Sequence, residues 1–370
     1  MATTIEQIEK ARNNFYVPAC NVKVSGQSVV EELYLELTSV HVDNTLEGAD
    51  RFSFVINNGF DVAKREFLTA KGETLPRFLK LGSPVEIRMG YGDRSNLDLM
   101  LTGIVTELQT SFPSSGLPQL TVSGFDYSYC LTKGTGSNTW PKKKDSDAVR
   151  DIAREHNLVP KVEDTKAVHP TIVRSQESAE RFVEKLARRN GFEFFVSDKK
   201  ELFFRKPAND KTGVIKLEWG RGLLTFSPEI KLSDQVTEVE VHGWNIQTKK
   251  PIVGRARGGD EPGRDPKRAS GAEYLEKVCK KQQATLRVRE PVFSQQEADQ
   301  RARAILKRRA QGFVGGRGES LGIPELRPNI NITLGGLGEF FNTTFYVTHT
   351  THTVDSSGYR TSFEVGDTTI

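Results

Sequence analysis

Two histidines, His349 and His352, stand with only two threonines between them in the stretch "FYVTHTTHTVDSSGYRTSF", residues 345–363. Paired histidines can hold a metal or move a proton when they share one face. An HExxH-type site achieves this on a helix and adds a carboxylate base. Here the run is rich in Thr, Val, Tyr and Phe and breaks at Asp355-Ser356-Ser357-Gly358, which is the pattern of strand, polar turn, strand. On a strand, positions three apart point to opposite sides. No third ligand lies at a suitable spacing, so the pair is assigned no metal.

Other reactive residue types are equally unpromising. Cys20, Cys130 and Cys279 form an odd, scattered set, which argues against a disulfide framework or a zinc site and fits a protein folded in the cytosol. The glycine-rich "KGTGSNTWP" lacks the Lys-Ser/Thr of a phosphate loop and runs into Trp-Pro rather than a helix. "GGRGES" and "GGLGEF" sit between β segments and are expected to be turns that need positive φ. No G-x-S-x-G elbow occurs, and the carboxylates are too scattered to single out an acid–base pair. The basic run "ARAILKRRAQG" sets Arg301, Arg303, Lys307, Arg308 and Arg309 around an Ala/Ile stripe. Late-helix cations favour the helix dipole and solvate an outer face, which is preferred here over nucleic-acid binding. No catalytic residue, cofactor or metal ligand is therefore assigned, and the chain is not expected to be an enzyme.

The elements that carry these residues are mostly strands. With 370 residues, 36% of them apolar, the chain is long enough for two or three domains with real cores. Net charge is 52 − 48 = +4, a weak basic bias that does not by itself imply nucleic acid. No apolar run is long enough to span a bilayer, and the polar start "MATTIEQIEKARNNFYVPAC" is not a signal peptide. Residues 1–132 carry short alternating runs ("NVKVSGQSVV", "LYLELTSVHV", "RFSFVI", "PVEIRMGYGD", "LMLTGIVTEL", "LPQLTVSGFD") that predict a β-sandwich or small barrel.

Residues 133–208 change character. "GTGSNTWPKKK" is expected to be a loop, followed by a helix with a Val149/Ile152/Ala153 stripe. A second helix buries Ala179, Phe182, Val183 and Leu186 and stops at Gly191, and "FEFFVSDKKELFFR" is a hairpin. Residues 209–370 return to β, with a polar, Gly/Arg-rich exposed loop over 249–270 and a helix over 294–311 capped by Ser294 and Glu297. The fold class is mainly β with an α+β insert: two similar barrel domains and a small helix-and-hairpin domain. The similarity is internal. Residues 83–124 and 327–366 share a Pro, an alternating strand, a Gly turn, a second strand through Val105 or Val347, and Ser-Ser-Gly at the same distance beyond it. His349 and His352 fall where the first copy has Glu107 and Thr110.

This order resembles a known family. "LTGIVTEL" with "LTVSGFDYSYCLTK", "SDAVRDIAREHNL", "QESAERFVEKLARRNGFEFFVSDKKELFFRKP", and "VFSQQEADQRARAIL" before "GRGESLGIPELRPNINITLGG…FYVTHTTHTVDSSGYRTSFEV" are similar, in series, to the late control D or baseplate hub family. Its members belong to contractile phage tails and phage-derived injection systems, and it shares its fold with the hub part of type VI valine-glycine-repeat spike proteins. The resemblance implies a non-enzymatic structural hub: a homotrimer of two-barrel subunits around a lumen, joining a spike to the inner tube or tube initiator. Baseplate proteins, and a tape-measure protein or cargo in the lumen, are the further partners it implies. It also implies assembly in the bacterial cytoplasm before incorporation into a phage tail or injection particle. Those spike proteins continue into a needle, whereas this sequence stops after the second barrel, so a separate spike is expected. The alternative is a β-rich tail protein that binds or degrades the cell wall, which would need a convergent acid and base in a cleft.

Overall fold

The computed structural model describes residues 2–69, 71–75, 79–245, 248–261, 264–265, 267–279 and 284–370. The chain opens with β1 (Thr3–Thr4) and helix α1 (Ile5–Ala11), whose Ile5 and Ile8 are buried. The predicted short strands of the first third follow: β2 (Pro18–Val24), β3 (Gln27–Ser28), β4 (Leu37–Thr45), β5 (Arg51–Ile56), β6 (Phe60–Asp61), β7 (Glu66–Phe67), β8 (Pro84–Tyr91), β9 (Asp98–Ser111) and β10 (Gln119–Asp126). Alternation delivers Val22, Val42, Phe54, Ile56, Ile87, Met89 and Val122 to one core.

The middle unit contains α2 (Tyr129–Thr132), β11 (Gly136–Lys144), α3 (Asp145–Glu155), β12 (Val159–Val162), β13 (Val168–Glu177), α4 (Ala179–Asn190), β14 (Glu193–Val196) and β15 (Glu201–Arg205). Ser178 caps α4 by accepting from the Arg181 N–H, and Gly191 ends it at φ 67°. "GTGSNTWPKKK" is not a loop. It is β11, paired with β13, because Trp140 gives it something to bury: the indole stacks on Phe182 at 5.2 Å and donates to Asp151 at 3.0 Å.

The last part runs β16 (Gly213–Trp219), β17 (Gly222–Ile230), β18 (Glu238–Asn245), β19 (Lys250–Arg257), α5 (Gly271–Val278), β20 (Thr285–Arg289), α6 (Gln295–Gln311), β21 (Val314–Leu321), β22 (Asn331–Gly335), β23 (Thr343–Asp355) and β24 (Gly358–Asp367). Strands β16, β17, β21, β24, β23 and β22 follow one another, and β22 pairs back to β16, closing a six-stranded barrel. The first copy has the order β4-β5-β10-β9-β8-β2 and stays open, since β4 pairs with β23 of the second barrel and not with β2. The N-terminal residues also depart from the expected boundary: β1 pairs with β16, and Ile5 and Ile8 sit in the second barrel's core.

Corresponding irregularities demonstrate the duplication. Pairing of β4 with β5 shifts between Leu37 and Ser39, and pairing of β17 with β21 shifts between Leu223 and Thr225. Thr106 is skipped between β9 and β10, as Thr348 is between β23 and β24. Counting from these bulges puts Glu107 with His349, Thr110 with His352, Asp43 with Glu229, and Asp126 with Asp367. The first strand of each copy matches as Val85 with Ile332, through their partners Gly103 and Phe345.

Two sequence expectations fail in the insertion between β17 and β21. The 249–270 stretch is not an exposed loop: β19 pairs with β18, and Ile252, Ala256 and Glu261 are buried. Pro262, Gly263 and Pro266 lie outside the described residues. The stretch looked uncommitted because its inward residues are small. A Cβ on Gly254 would stand 2.1 Å from the Ala298 carbonyl carbon, so the strand and α6 approach backbone to backbone. Helix α6 likewise does not keep all its cations on a solvated face. Arg301 is buried between Glu290 and Glu297, at 2.7 Å from each, and Lys307 is buried near Glu193. Ser294 caps this helix as expected, but Glu297 reaches the Phe293 N–H instead of completing a box.

Candidate assembly interface

The seam between the two barrels is built from β4 and the second half of β23. Seven residue pairs run from His349 opposite Thr45 to Asp355 opposite Ser39. Apolar alternation in β4 commits Val40 and Val42 to the first core, which leaves Ser39, His41 and Asp43 on the other face. There the His349 Nε2 lies 2.7 Å from Asp43 Oδ1, Thr351 Oγ1 donates to the same oxygen at 2.8 Å, and His41 Nδ1 meets Thr353 Oγ1 at 3.0 Å. The hydrogen bond that His349 donates to Asp43 raises the pKa of the imidazole against the opposing effect of burial. Burial pushes Asp43 up, but the bonds from His349 and Thr351 outweigh it and hold the carboxyl below its usual range.

His352 points the other way, as the strand period requires. It is fully buried, with Nε2 3.0 Å from the Leu326 carbonyl and Nδ1 3.0 Å from the Tyr359 hydroxyl. Burial, with the Arg327 charge, lowers its pKa to about 3. A neutral imidazole donating to Leu326 and accepting from Tyr359 satisfies both nitrogens. The two histidines of the opening stretch thus do separate jobs in one strand: one ties the barrels together, the other fills a core.

Behind the seam lies an acid pair, Asp126 buried and Asp50 half-buried. Asp50 accepts from Asn44 Nδ2 at 2.7 Å and from the Thr45 N–H at 2.8 Å, and Asp126 accepts from Ser128 Oγ at 2.5 Å. Burial raises Asp50 to about 6, and burial together with the Asp50 charge raises Asp126 well above the ordinary carboxyl value. A cleft of about 910 Å³ opens between α4, α6 and the second barrel, and its lining includes both acids (Glu180, Glu184, Glu193) and bases (Arg188, Lys211, Lys307). Among the described residues, no group of three or more His, Cys, Asp or Glu side chains is placed to hold a metal ion, and no helix is long and apolar enough to cross a membrane. None of these contacts was visible from sequence, because His41 and Thr353 are 312 residues apart.

The family model described as the Alg8 N-terminal domain matches residues 16–356, the span from β2 to the end of the β4–β23 seam. The chain belongs to the Alg8 N-terminal domain family. No curated protein matches this family member at a significant level. Its fold is that of phage tail proteins. The 43 kDa tail protein of prophage MuSo2 from Shewanella oneidensis is similar at a TM-score of 0.70 and 14% identity, covering 95% of this chain and 100% of that one. A tail protein from Neisseria meningitidis MC58 is similar at a TM-score of 0.70 and 14% identity, covering 95% and 97%. The E. coli c3393 protein is described as a component of the type VI secretion system with structural similarity to the T4 tail proteins gp27 and gp5. It is similar at a TM-score of 0.55 and 12% identity, covering 93% of this chain and 76% of that one.

Proposed function

We propose that this chain is a structural, non-enzymatic hub of a contractile tail or tail-like injection particle, working as a trimer that joins a spike to the inner tube. The observation that carries this reading is the single sheet that runs across two like barrels, in a fold shared over 95% of the chain with two tail proteins, one of them from a prophage. A subunit with two barrels supplies six when three copies gather, and closed cyclic symmetry is how identical subunits end their own growth. Three-fold order then suits a trimeric spike, while six barrels offer a like set of surfaces to a six-fold tube. Baseplate proteins are the expected neighbours, and assembly in the bacterial cytoplasm precedes incorporation into the particle.

Deleting the gene should abolish complete particles, and complementation with a tagged chain should restore them with three tagged copies each by quantitative mass spectrometry. Normal particles without the chain would overturn the reading. So would clearing of a purified cell-wall suspension by the purified chain, because that result would restore the cell-wall-degrading alternative.

A further inference from the structure

We propose that the intrachain seam is repeated between chains: the second half of β9 pairs, antiparallel, with β17 of a second copy of this chain. The inference rests on the trimer reading and specifies which edges meet. Its basis is a vacancy in the duplicated pattern. The second half of β23, from His349 onward, has β24 on one side and β4 on the other. Its counterpart in the first copy, Glu107 to Ser111, has β10 on one side and, among the described residues, no strand on the other. The counterpart of β4 is β17, which pairs with β21 along its length but meets β16 only through Gly222 and Leu223. Thus, among the described residues, each chain carries one used seam and the two unmatched halves of another.

The exposure of the two edges agrees. Asn44 in the used seam is 5% exposed and Thr350 is fully buried. At the matching positions, Ile230 is 44% exposed and Leu108 is half-buried. Transferring the β4–β23 register sets Leu108 opposite Ile230, Glu107 opposite Lys231, Gln109 opposite Glu229 and Thr110 opposite Pro228. An apolar pair and an opposite-charge pair fall in register, which is how cross-strand pairs stabilise a sheet.

Pro228 fits an edge that must be selective. Lys231 donates to Phe313 on the β21 side, so in the alternation Ile230 and Pro228 turn their nitrogens outward. Pro228 offers no N–H there, which blunts indiscriminate strand addition and leaves the bond from Ile230 available. The contact is head-to-tail, β9 of one chain on β17 of the next, and such contacts either close into rings or run on as filaments.

The test is a disulfide in the full-length chain. Gln109 and Glu229 occupy a non-hydrogen-bonded pair, where Cα atoms lie about 4.5 Å apart, within the range a disulfide spans. Gln109→Cys with Glu229→Cys should convert the oxidised protein to a covalent three-chain species on a non-reducing gel. Each single variant, and Gln109→Cys with Ser227→Cys two residues out of register, should not. Native mass spectrometry of the same samples separates the two readings. A three-chain mass without the 109–229 disulfide would overturn the edge pairing and leave the trimer standing. A monomer at every concentration, with no disulfide, would overturn both.

Discussion

At the residue scale, the informative groups are ionisable side chains that no local motif announces. Asp126 is buried beside Asp50, and both carboxyls titrate higher in the folded chain than in the unfolded one. An acid with a raised folded pKa costs stability above that value, and the cost vanishes as pH falls below the unfolded value near 4. Asp126→Asn removes one of the two charges and keeps an oxygen to accept from Ser128. It should raise the melting temperature at pH 8, with the gain shrinking as pH falls from the raised folded value of Asp126 toward the unfolded carboxyl value near 4. A constant shift at every pH would show that the gain comes from packing and not from charge. The His349–Asp43 pair has the opposite dependence. Its histidine contribution is fully present below the unfolded value of 6.5 and is lost as pH rises through the raised folded value, while the Asp43 contribution is lost only in acid. Both side chains are partly exposed, so His349→Gln should cost less than about 1 kcal/mol at pH 6, and still less at pH 9, in denaturant titrations.

At the scale of elements, period was the legible signal and close approach was not. Phe182, Val183 and Leu186 recur at helical spacing and are all buried in α4. Leu186→Ala should therefore cost about 2–5 kcal/mol, and a loss below roughly 1 kcal/mol in chemical unfolding would contradict that packing. Strand β19 gave no such signal, since a strand that packs on a helix through Gly254 and Ala256 has little apolar area to display. Gly254→Val should destabilise by at least about 1–3 kcal/mol, because the clash is with the Ala298 backbone and not with a movable side chain. The duplicated hairpins were legible through matched turns and spacing, and β11 was missed because its polar residues and three lysines hid a single buried Trp140. The seam contacts could not be read at all: strand alternation says which face a residue takes, and says nothing about which distant edge it will meet.

At the scale of the whole molecule, the first barrel depends on the last strands of the chain. A fragment ending at Asp126 should be insoluble or aggregate on expression, because it would present the long edge of β4 with no β23 to cover it. A soluble, monomeric fragment would show that the open barrel can protect itself. The same dependence acts during synthesis. His41 emerges 312 residues before its partner Thr353, and at about 5–20 residues per second the ribosome takes roughly 15–60 s to make what lies between. For that interval the nascent chain holds a strand committed to a partner that does not yet exist. Pairing across such a separation also folds slowly, because the loop must close before any contact stabilises it. The β4–β23 seam is therefore also a timing device: the two barrels cannot be fastened together, and no correctly spaced pair of outer edges can be offered to a neighbour, until β23 has left the ribosome.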